Sequence, residues 1–279
     1  MAEATVDQVR RYILDGGDED LRRLLSVSEF SAEAARRALR RAGIGRGWTV
    51  IDCGCGPLGG LAVLAEMVGP AGKVVGVDFS EPAIQRARSA VAALGLENVE
   101  LVAGDIHDLG TAALGGPFDL AFTRLFLMHQ ADPVRTLGQI ASLLRPGGWI
   151  VAHEALSNPP PRSHPQLDAL AAYWGLLHKV VERAGVPRGA VEGLPGSARA
   201  AGLEVVEADG FFVTLQPGPG FEIHASTLAA ARERAIKAGI AAETIDDLAA
   251  SLRAAKTGGY EWVTSPFFLD LALRTPQAV

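Results

Sequence analysis

Apolar residues follow two alternating patterns through the first half of the chain. Short apolar runs, typical of strands buried in a parallel sheet, are separated by stretches in which apolar residues recur at helical spacing. The predicted strands are 48–53, 73–78, 99–103, 118–124 and 149–155, and the predicted helices are 5–15, 31–42, 59–68, 81–94 and 133–144. This alternation predicts a parallel sheet with helices on both faces.

The second half of the chain leaves that alternation after Asn158, which is followed by three consecutive prolines. Its predicted helices are 166–184, 196–201, 221–238 and 243–256, and its predicted strands are 203–208 and 267–273. Residues 211–215 either extend the first of these strands or form a neighbouring one. The second half therefore adds helical insertions to an α/β sheet.

The first predicted strand runs into a glycine-rich turn with the sequence VIDCGCGPLG at residues 50–59. Gly54, Gly56 and Gly59 allow the backbone to approach a ligand, because glycine has no Cβ. In alternating α/β sheets a nucleotide-like cofactor binds at this place, beside the carboxyl ends of the strands. The three glycines also match the dinucleotide fingerprint, which is weak evidence when it stands alone.

Acidic residues at three successive strand ends distinguish between the possible cofactors. Asp52 would repel the pyrophosphate that a dinucleotide-binding loop receives, but it suits a cofactor with an ammonium and a sulfonium group. Asp78 can accept both ribose hydroxyls, a feature shared with NAD enzymes. Asp105 can accept the exocyclic amine of adenine, with Ile106 covering the ring. Together the acids favour S-adenosylmethionine over a dinucleotide.

Several motifs resemble those of the class I S-adenosylmethionine-dependent methyltransferases, in the branch of the ubiquinone/menaquinone-biosynthesis enzymes. They are VIDCGCG at 50–56, GVDFS at 76–80, GD at 104–105, FDLA at 118–121 and LRPGG at 144–148. The resemblance covers roughly residues 35–155. In one departure, Leu58 stands where the family has its third glycine, and glycines follow at 59 and 60.

The resemblance implies a doubly wound, seven-stranded, mostly parallel Rossmann-like sheet with helical lid insertions. S-adenosylmethionine would be the cofactor and S-adenosylhomocysteine the product. We therefore divide the chain into an N-terminal helical cap (1–45), a cofactor-binding core (46–157), a helical lid insertion (158–200) and the C-terminal part of the sheet (201–279), which contains a helical insertion (217–262).

Candidate site residues follow from the same motifs. The expected cofactor-binding residues are Tyr12, Asp52, Gly54, Cys55, Gly56, Asp78, Phe79, Gly104, Asp105, Ile106 and Arg124. The expected catalytic residues, at the ends of the fourth and fifth strands, are Arg124, His129 and Glu154. Arg124 either faces a carboxylate of the cofactor or substrate or braces a loop, and His129 is either a base or a structural residue. We expect Glu154, rather than its neighbour His153, to face the acceptor, because side chains alternate along a strand.

The composition of the chain indicates which classes of partner are not expected. The net charge is −6 and no long basic run occurs, so a nucleic-acid partner is not expected. The two cysteines, Cys53 and Cys55, lie inside the glycine-rich turn, and no Cys/His cluster indicates a metal. They fit a reducing cytoplasm. Residues 1–16 lack the apolar run of a signal peptide, and no apolar stretch has membrane-spanning length.

A surplus of aromatic residues outside the core motifs predicts an apolar, small-molecule acceptor. We therefore expect a methyltransferase that acts on O, N or C of a small, largely apolar acceptor. The alternatives are an NAD-dependent oxidoreductase and a non-methylating protein on the same fold, such as a cyclase or a cofactor-binding scaffold. The helical insertions fit a homodimer contact as well as a lid.

Overall fold

The computed structural model describes residues 31–57, 59–156, 158–187 and 189–277. Tyr12, the predicted helix 5–15 and Leu58 therefore lie outside the described residues. The described strands are β1 Thr49–Cys53, β2 Lys73–Asp78, β3 Val99–Ala103, β4 Phe118–Arg124, β5 Leu144–Ala155, β6 Ser163–His164, β7 Glu204–Phe211, β8 Thr214–Leu215, β9 Trp262–Thr264 and β10 Phe268–Arg274.

Helices lie between most of these strands. They are α1 (31–41), α2 Leu61–Val68, α3 Glu81–Ala93, α4 Thr111–Leu114, α5 Pro133–Ser142, α6 Asp168–Arg183, α7 Leu194–Ala200, α8 Pro217–Ala230, α9 Arg232–Lys237 and α10 Ala242–Ala255, with a 3-10 turn at Leu127–His129. Local signals explain where several of them begin. Ser80 caps α3 by accepting a hydrogen bond from the Ala83 amide, and Asp132 caps α5 by accepting one from the Arg135 amide. Proline occupies the first turn of both helices, where its missing N–H has no intrahelical acceptor.

In the part of the chain that the structure describes, seven strands form the main sheet in the order β3-β2-β1-β4-β5-β10-β7. The pairs β1/β2, β1/β4, β2/β3 and β4/β5 are parallel. β1 and β2 are almost wholly buried, which explains why they consist of nearly uninterrupted apolar residues. These observations confirm the predicted seven-stranded, mostly parallel α/β sheet.

The strand order reverses between β1 and β4, because β2 and β3 lie on one side of β1 and β4 and β5 lie on the other. Ligands of open α/β sheets bind at such a reversal, beside the carboxyl ends of the strands. The glycine-rich turn follows β1 directly, so the fold places this turn at the reversal.

Two compact units make up the described chain. One comprises residues 31–154, 193–209 and 269–277 and contains nearly all of the main sheet. Its core includes apolar residues of α1, α2, β1 and β2, among them Leu39, Val50, Leu64 and Val74. The other unit comprises residues 155–192 and 210–268. It contains α6, α8, α9, α10 and a sheet in which β6 and β8 pair antiparallel with β9.

Several features differ from the sequence-based expectation. β5 begins at Leu144, five residues earlier than predicted, with a register irregularity opposite β4. The predicted helix 221–238 is two helices, α8 and α9, which meet at Ala231. The small sheet was not predicted: residues 211–215 were expected to extend β7 or lie next to it, but β7 ends at Phe211 and β8 pairs with β9. Strands of two or three residues are too short to show a period. Among the described residues, the helices are all too short or too polar to cross a membrane.

Candidate cofactor-binding and active site

The turn after β1 has a backbone that only glycine adopts easily. Gly54, Gly56 and Gly59 have φ angles of 73°, 55° and 46°. A Cβ on Gly54 would lie 2.3 Å from Cδ2 of Phe126, and a Cβ on Gly59 would lie 2.2 Å from the Cys55 carbonyl oxygen. The turn therefore requires glycine at 59, one position later than in the family motif.

Asp52, at the end of β1, has a buried carboxylate of which only one oxygen accepts a hydrogen bond. Its Oδ2 accepts a hydrogen bond from the Gly60 amide at 2.8 Å, while its Oδ1 has no hydrogen-bond partner among the described residues. Burial raises the pKa of Asp52 to about 7, an effect that the Gly60 amide and the Arg124 charge oppose and the Asp78 charge reinforces. A buried, unpartnered carboxylate oxygen is destabilising unless a donor reaches it, and a cationic ligand group is such a donor.

Asp78, at the end of β2, connects the glycine-rich turn to α3. Its Oδ2 accepts a hydrogen bond from the Gly56 amide and its Oδ1 accepts one from the Ser80 amide, both at 2.9 Å. A carboxylate has about four acceptor positions in all, so binding the two amides is compatible with a role toward a ribose hydroxyl. The structure therefore gives Asp78 a role in shaping the turn, beside the predicted role toward the ribose.

The residues expected around adenine lie after β2 and β3. Phe79 is 45% exposed, which is unusual for a large aromatic side chain, whereas Ile106 is buried. Asp105 accepts a hydrogen bond from the His107 amide at 3.0 Å, and Gly104 donates its N–H to the Asp78 carbonyl at 2.9 Å. These bonds fix the backbone at the ends of β2 and β3, leaving the Phe79 ring accessible to a ligand.

Cys53 and Cys55 are buried and unbridged. Burial raises the pKa of both thiols well above the ordinary range, with a further contribution from the Asp52 charge, so neither is a nucleophile at neutral pH. Cys55 instead contributes its backbone amide, which donates to the Val77 carbonyl at 3.0 Å. The described residues contain no group of three or more His, Cys, Asp or Glu side chains that could hold a metal ion.

Arg124 and the residues after it form a sharp turn at the end of β4. Leu125 has a φ of 51°, a conformation that costs a residue with a side chain about 1 kcal/mol or more. The Leu125 amide donates to the His153 carbonyl at 3.0 Å. The half-buried Arg124 donates from Nη1 to the Ser31 hydroxyl at 3.2 Å, and its charge stabilises the ionised form of Asp52. His129, also half-buried, closes the 3-10 turn that follows.

Glu154 and His153, at the end of β5, are both fully buried. The Glu154 carboxylate accepts four hydrogen bonds, from the Thr123 hydroxyl and from the amides of Phe126, Leu127 and Met128. The His153 Nδ1 lies 2.6 Å from Oδ1 of Asp270 in β10. Burial raises the pKa of Glu154 to about 7, although its four donors lower it.

Sequence reasoning did not find two contacts of this site. The Phe126 ring packs against Gly54, and the Glu154 carboxylate binds the turn that carries this ring. Both contacts join segments that are far apart in the sequence. No local pattern indicated them.

Comparison with known proteins shows to which protein family this chain belongs. A family model described as a methyltransferase domain matches residues 44–185, just over half of the chain. The chain belongs to this methyltransferase family. The match includes every described candidate residue of the cofactor and catalytic sets, and it confirms the resemblance found in the motifs. S-adenosylmethionine is therefore the cofactor of this fold, as predicted.

Two similar proteins and one solved structure illustrate the relationship. A protein of Streptomyces fradiae, described as an uncharacterized 37.1 kDa protein in transposon TN4556, is 36% identical over 140 residues, which is 50% of this chain and 39% of that protein. The demethylmenaquinone methyltransferase of Staphylococcus aureus is 28% identical over 181 residues, 64% of this chain and 70% of the enzyme. The crystal structure of the 4+2 cyclase SpnF covers 89% of this chain and 82% of the cyclase, with a TM-score of 0.54 and 19% identity.

The described residues fit S-adenosylmethionine. The unpartnered Oδ1 of Asp52 would receive the cationic amino-acid end, and Asp78 would receive the ribose. Gly54 and Gly56 leave the backbone accessible, and Phe79 has an exposed ring for the adenine. The same carboxylate at position 52 would repel a pyrophosphate, so the geometry disfavours a dinucleotide.

Proposed function

We propose that this protein transfers the methyl group of S-adenosylmethionine to O, N or C of a small, largely apolar acceptor. The observation that carries the proposal is the buried Asp52 carboxylate, with one oxygen unpartnered, at the point where the strand order reverses. A positively charged cofactor relieves the cost of burying this charge, whereas a diphosphate would increase it.

The proposed acceptor class rests on the aromatic residues of the second unit. Phe212 and Phe267 contact each other and are both partly exposed, and Tyr260, also partly exposed, lies against the buried Phe221. Sites for small molecules are mostly apolar and aromatic, with few polar groups. This composition supports an apolar acceptor over a nucleic acid, which would require clustered Lys and Arg.

The cofactor supplies an activated methyl group on a sulfonium, so the protein contributes mainly orientation and the exclusion of water. In the proposed mechanism Asp52 binds the amino-acid end of the cofactor and Asp78 binds its ribose, and Arg124 offsets the negative charge of the two carboxylates. His129 takes the acceptor proton when the acceptor retains one at neutral pH, as a phenol does. Glu154 already has four donors, so its geometry favours holding the adjacent turn over contact with the acceptor.

We propose two further properties, a cytoplasmic location and a homodimer. The buried, unbridged cysteines fit a protein that works in the reducing cytoplasm. A homodimer built through the helical insertions is compatible with the sequence and is tested by light scattering of the purified protein.

Thermal unfolding in the presence of ligands tests the cofactor, because a ligand that binds the native state raises its melting temperature. S-adenosylhomocysteine is expected to raise it and NADH to leave it unchanged. The opposite result would favour the oxidoreductase alternative. Methyl transfer is tested with S-adenosylmethionine labelled in the methyl group and a panel of phenols, amines and carbon acids. Saturable S-adenosylhomocysteine binding without label transfer to any of them would favour a non-methylating protein such as a cyclase.

A further inference from the structure

Glu154 is bonded in an unusual way for a residue at a strand end. Its Oε1 accepts from the Thr123 hydroxyl at 3.1 Å and from the Phe126 and Leu127 amides at 3.3 and 3.0 Å. Its Oε2 accepts from the Met128 amide at 3.2 Å. Three consecutive amides thus point at one buried carboxylate, as they do at the N-terminus of a helix. Among the side chains, only a carboxylate offers two acceptor oxygens without a competing donor.

The turn that these amides belong to requires such support. Leu125 has a positive φ, so the chain bends sharply at a residue whose side chain disfavours the bend. β4 and β5 are parallel and pair Arg124 with His153, which places Glu154 directly beside the bend. Without the carboxylate, the amides of the turn would lack an acceptor and the strained conformation would lose its main restraint.

The turn presents Phe126 to the cofactor loop. Its ring packs so closely on Gly54 that a Cβ there would lie 2.3 Å from Cδ2. Gly54 has a second restraint, because its amide donates a hydrogen bond to the Val77 carbonyl at 2.8 Å. The ring and the carbonyl together fix the position of the first glycine in the loop.

We propose that Glu154 is a positioning residue that sets the affinity for the cofactor: its carboxylate holds the turn 125–128, and the turn holds Phe126 against Gly54. The inference rests on the proposed function only in placing the cofactor beside Gly54. Glu154 acts through the turn and does not contact the cofactor itself.

Calorimetric titration with S-adenosylhomocysteine tests the proposal in five forms of the protein: wild type, Glu154→Gln, Glu154→Leu, Phe126→Ala and the double variant that combines Glu154→Gln with Phe126→Ala. Glutamine keeps one acceptor oxygen, so Glu154→Gln is expected to raise the dissociation constant roughly tenfold, and Glu154→Leu, with none, to raise it further. If Glu154 acts through Phe126, the Gln substitution adds less than about twofold once the ring has been removed.

Asp119→Asn is the matched control, because Asp119 is a carboxylate of the same sheet at the opposite end of β4. It accepts the Thr49 amide at 2.8 Å and pairs with Arg145 at 2.7 Å. This variant is expected to lower the melting temperature while leaving the dissociation constant of S-adenosylhomocysteine within about twofold of wild type. A purely structural role of Glu154 would make the two carboxylate variants behave alike.

Three outcomes would overturn the proposal: wild-type affinity in Glu154→Gln, an equal loss of affinity in Asp119→Asn, or additive effects of Glu154→Gln and Phe126→Ala. If Glu154→Gln does not fold, the dissociation constant of S-adenosylhomocysteine in Phe126→Ala tests the proposal by itself. The Phe126 ring is only half-buried, so we expect Phe126→Ala to fold. It is expected to bind S-adenosylhomocysteine more weakly than wild type, and unchanged binding would refute the proposal. A wild-type protein that binds no S-adenosylhomocysteine would instead refute the proposed function, so the two failures are distinguishable.

Discussion

Replacing Asp52 with asparagine is expected to stabilise the protein at alkaline pH. Burial raises the pKa of this carboxyl from an ordinary 3.8 to about 7. Between these values the folded protein retains a proton that the unfolded chain has released. The stability contributed by the protonated carboxyl is therefore present below about pH 4 and is lost as the pH rises through about 7. The loss is about 4 kcal/mol at 1.36 kcal/mol per pH unit.

Asparagine has nearly the same shape as aspartate and carries no charge. Its side-chain oxygen can accept the Gly60 amide, which the aspartate now binds at 2.8 Å. Asp52→Asn therefore keeps this hydrogen bond and removes the pH-dependent loss. Its stability relative to wild type is expected to increase by about 3 kcal/mol between pH 5 and pH 8, because about two pH units separate pH 5 from the folded pKa.

Urea unfolding of both proteins at pH 5 and pH 8, without ligand, measures this difference. Glu154 also titrates near pH 7, but it is present in both proteins and its contribution cancels. A stability difference that stays the same at the two pH values would refute the argument that Asp52 is a buried charge. The same variant is expected to bind S-adenosylhomocysteine at least about tenfold more weakly, because a charged hydrogen bond to the cationic end has been lost.

Substitutions at other positions test the rest of the account. Gly54→Ala is expected to abolish S-adenosylhomocysteine binding because its Cβ would collide with an aromatic ring at 2.3 Å, whereas Gly43→Ala, at a φ of 75° with open space around it, is expected only to lower the melting temperature. Asp78→Ala removes two hydrogen bonds from the turn and is expected to prevent binding in calorimetry; unchanged binding would refute its role. Asp270→Ala removes the carboxylate that contacts Nδ1 of the buried His153 and is expected to cost about 3 kcal/mol in urea unfolding, with little change in ligand affinity. A loss below about 1 kcal/mol would show that this pair is not a main support of the sheet.

The first half of the fold was predictable because its short, mainly apolar strands alternate with stretches of helical spacing, and most of these strands are largely buried. β2, β3 and β4 have the predicted bounds, since mainly apolar runs that are followed by a turn leave little freedom in placing them. The acids Asp52 and Asp78 could be placed for the same reason, since each ends such a run. The family match confirms the cofactor deduced from them.

The remaining features depend on contacts between distant segments. The spacing of apolar residues in the local sequence predicts neither the packing of Phe126 on Gly54 nor the four hydrogen bonds of Glu154. We expected Glu154 to face the acceptor because side chains alternate along a strand. This alternation does not reveal that the neighbouring strand β4 ends in a turn whose amides donate to Glu154. The roles of Arg124 and His129 toward an acceptor stay predictions.

A crystal structure of the protein grown with S-adenosylhomocysteine tests the central claim most directly. We expect the amino-acid end of the ligand beside Asp52, the ribose hydroxyls on Asp78, and the adenine between Phe79 and Ile106. Ligand bound elsewhere, or no ligand at these residues under saturating conditions, would contradict the account.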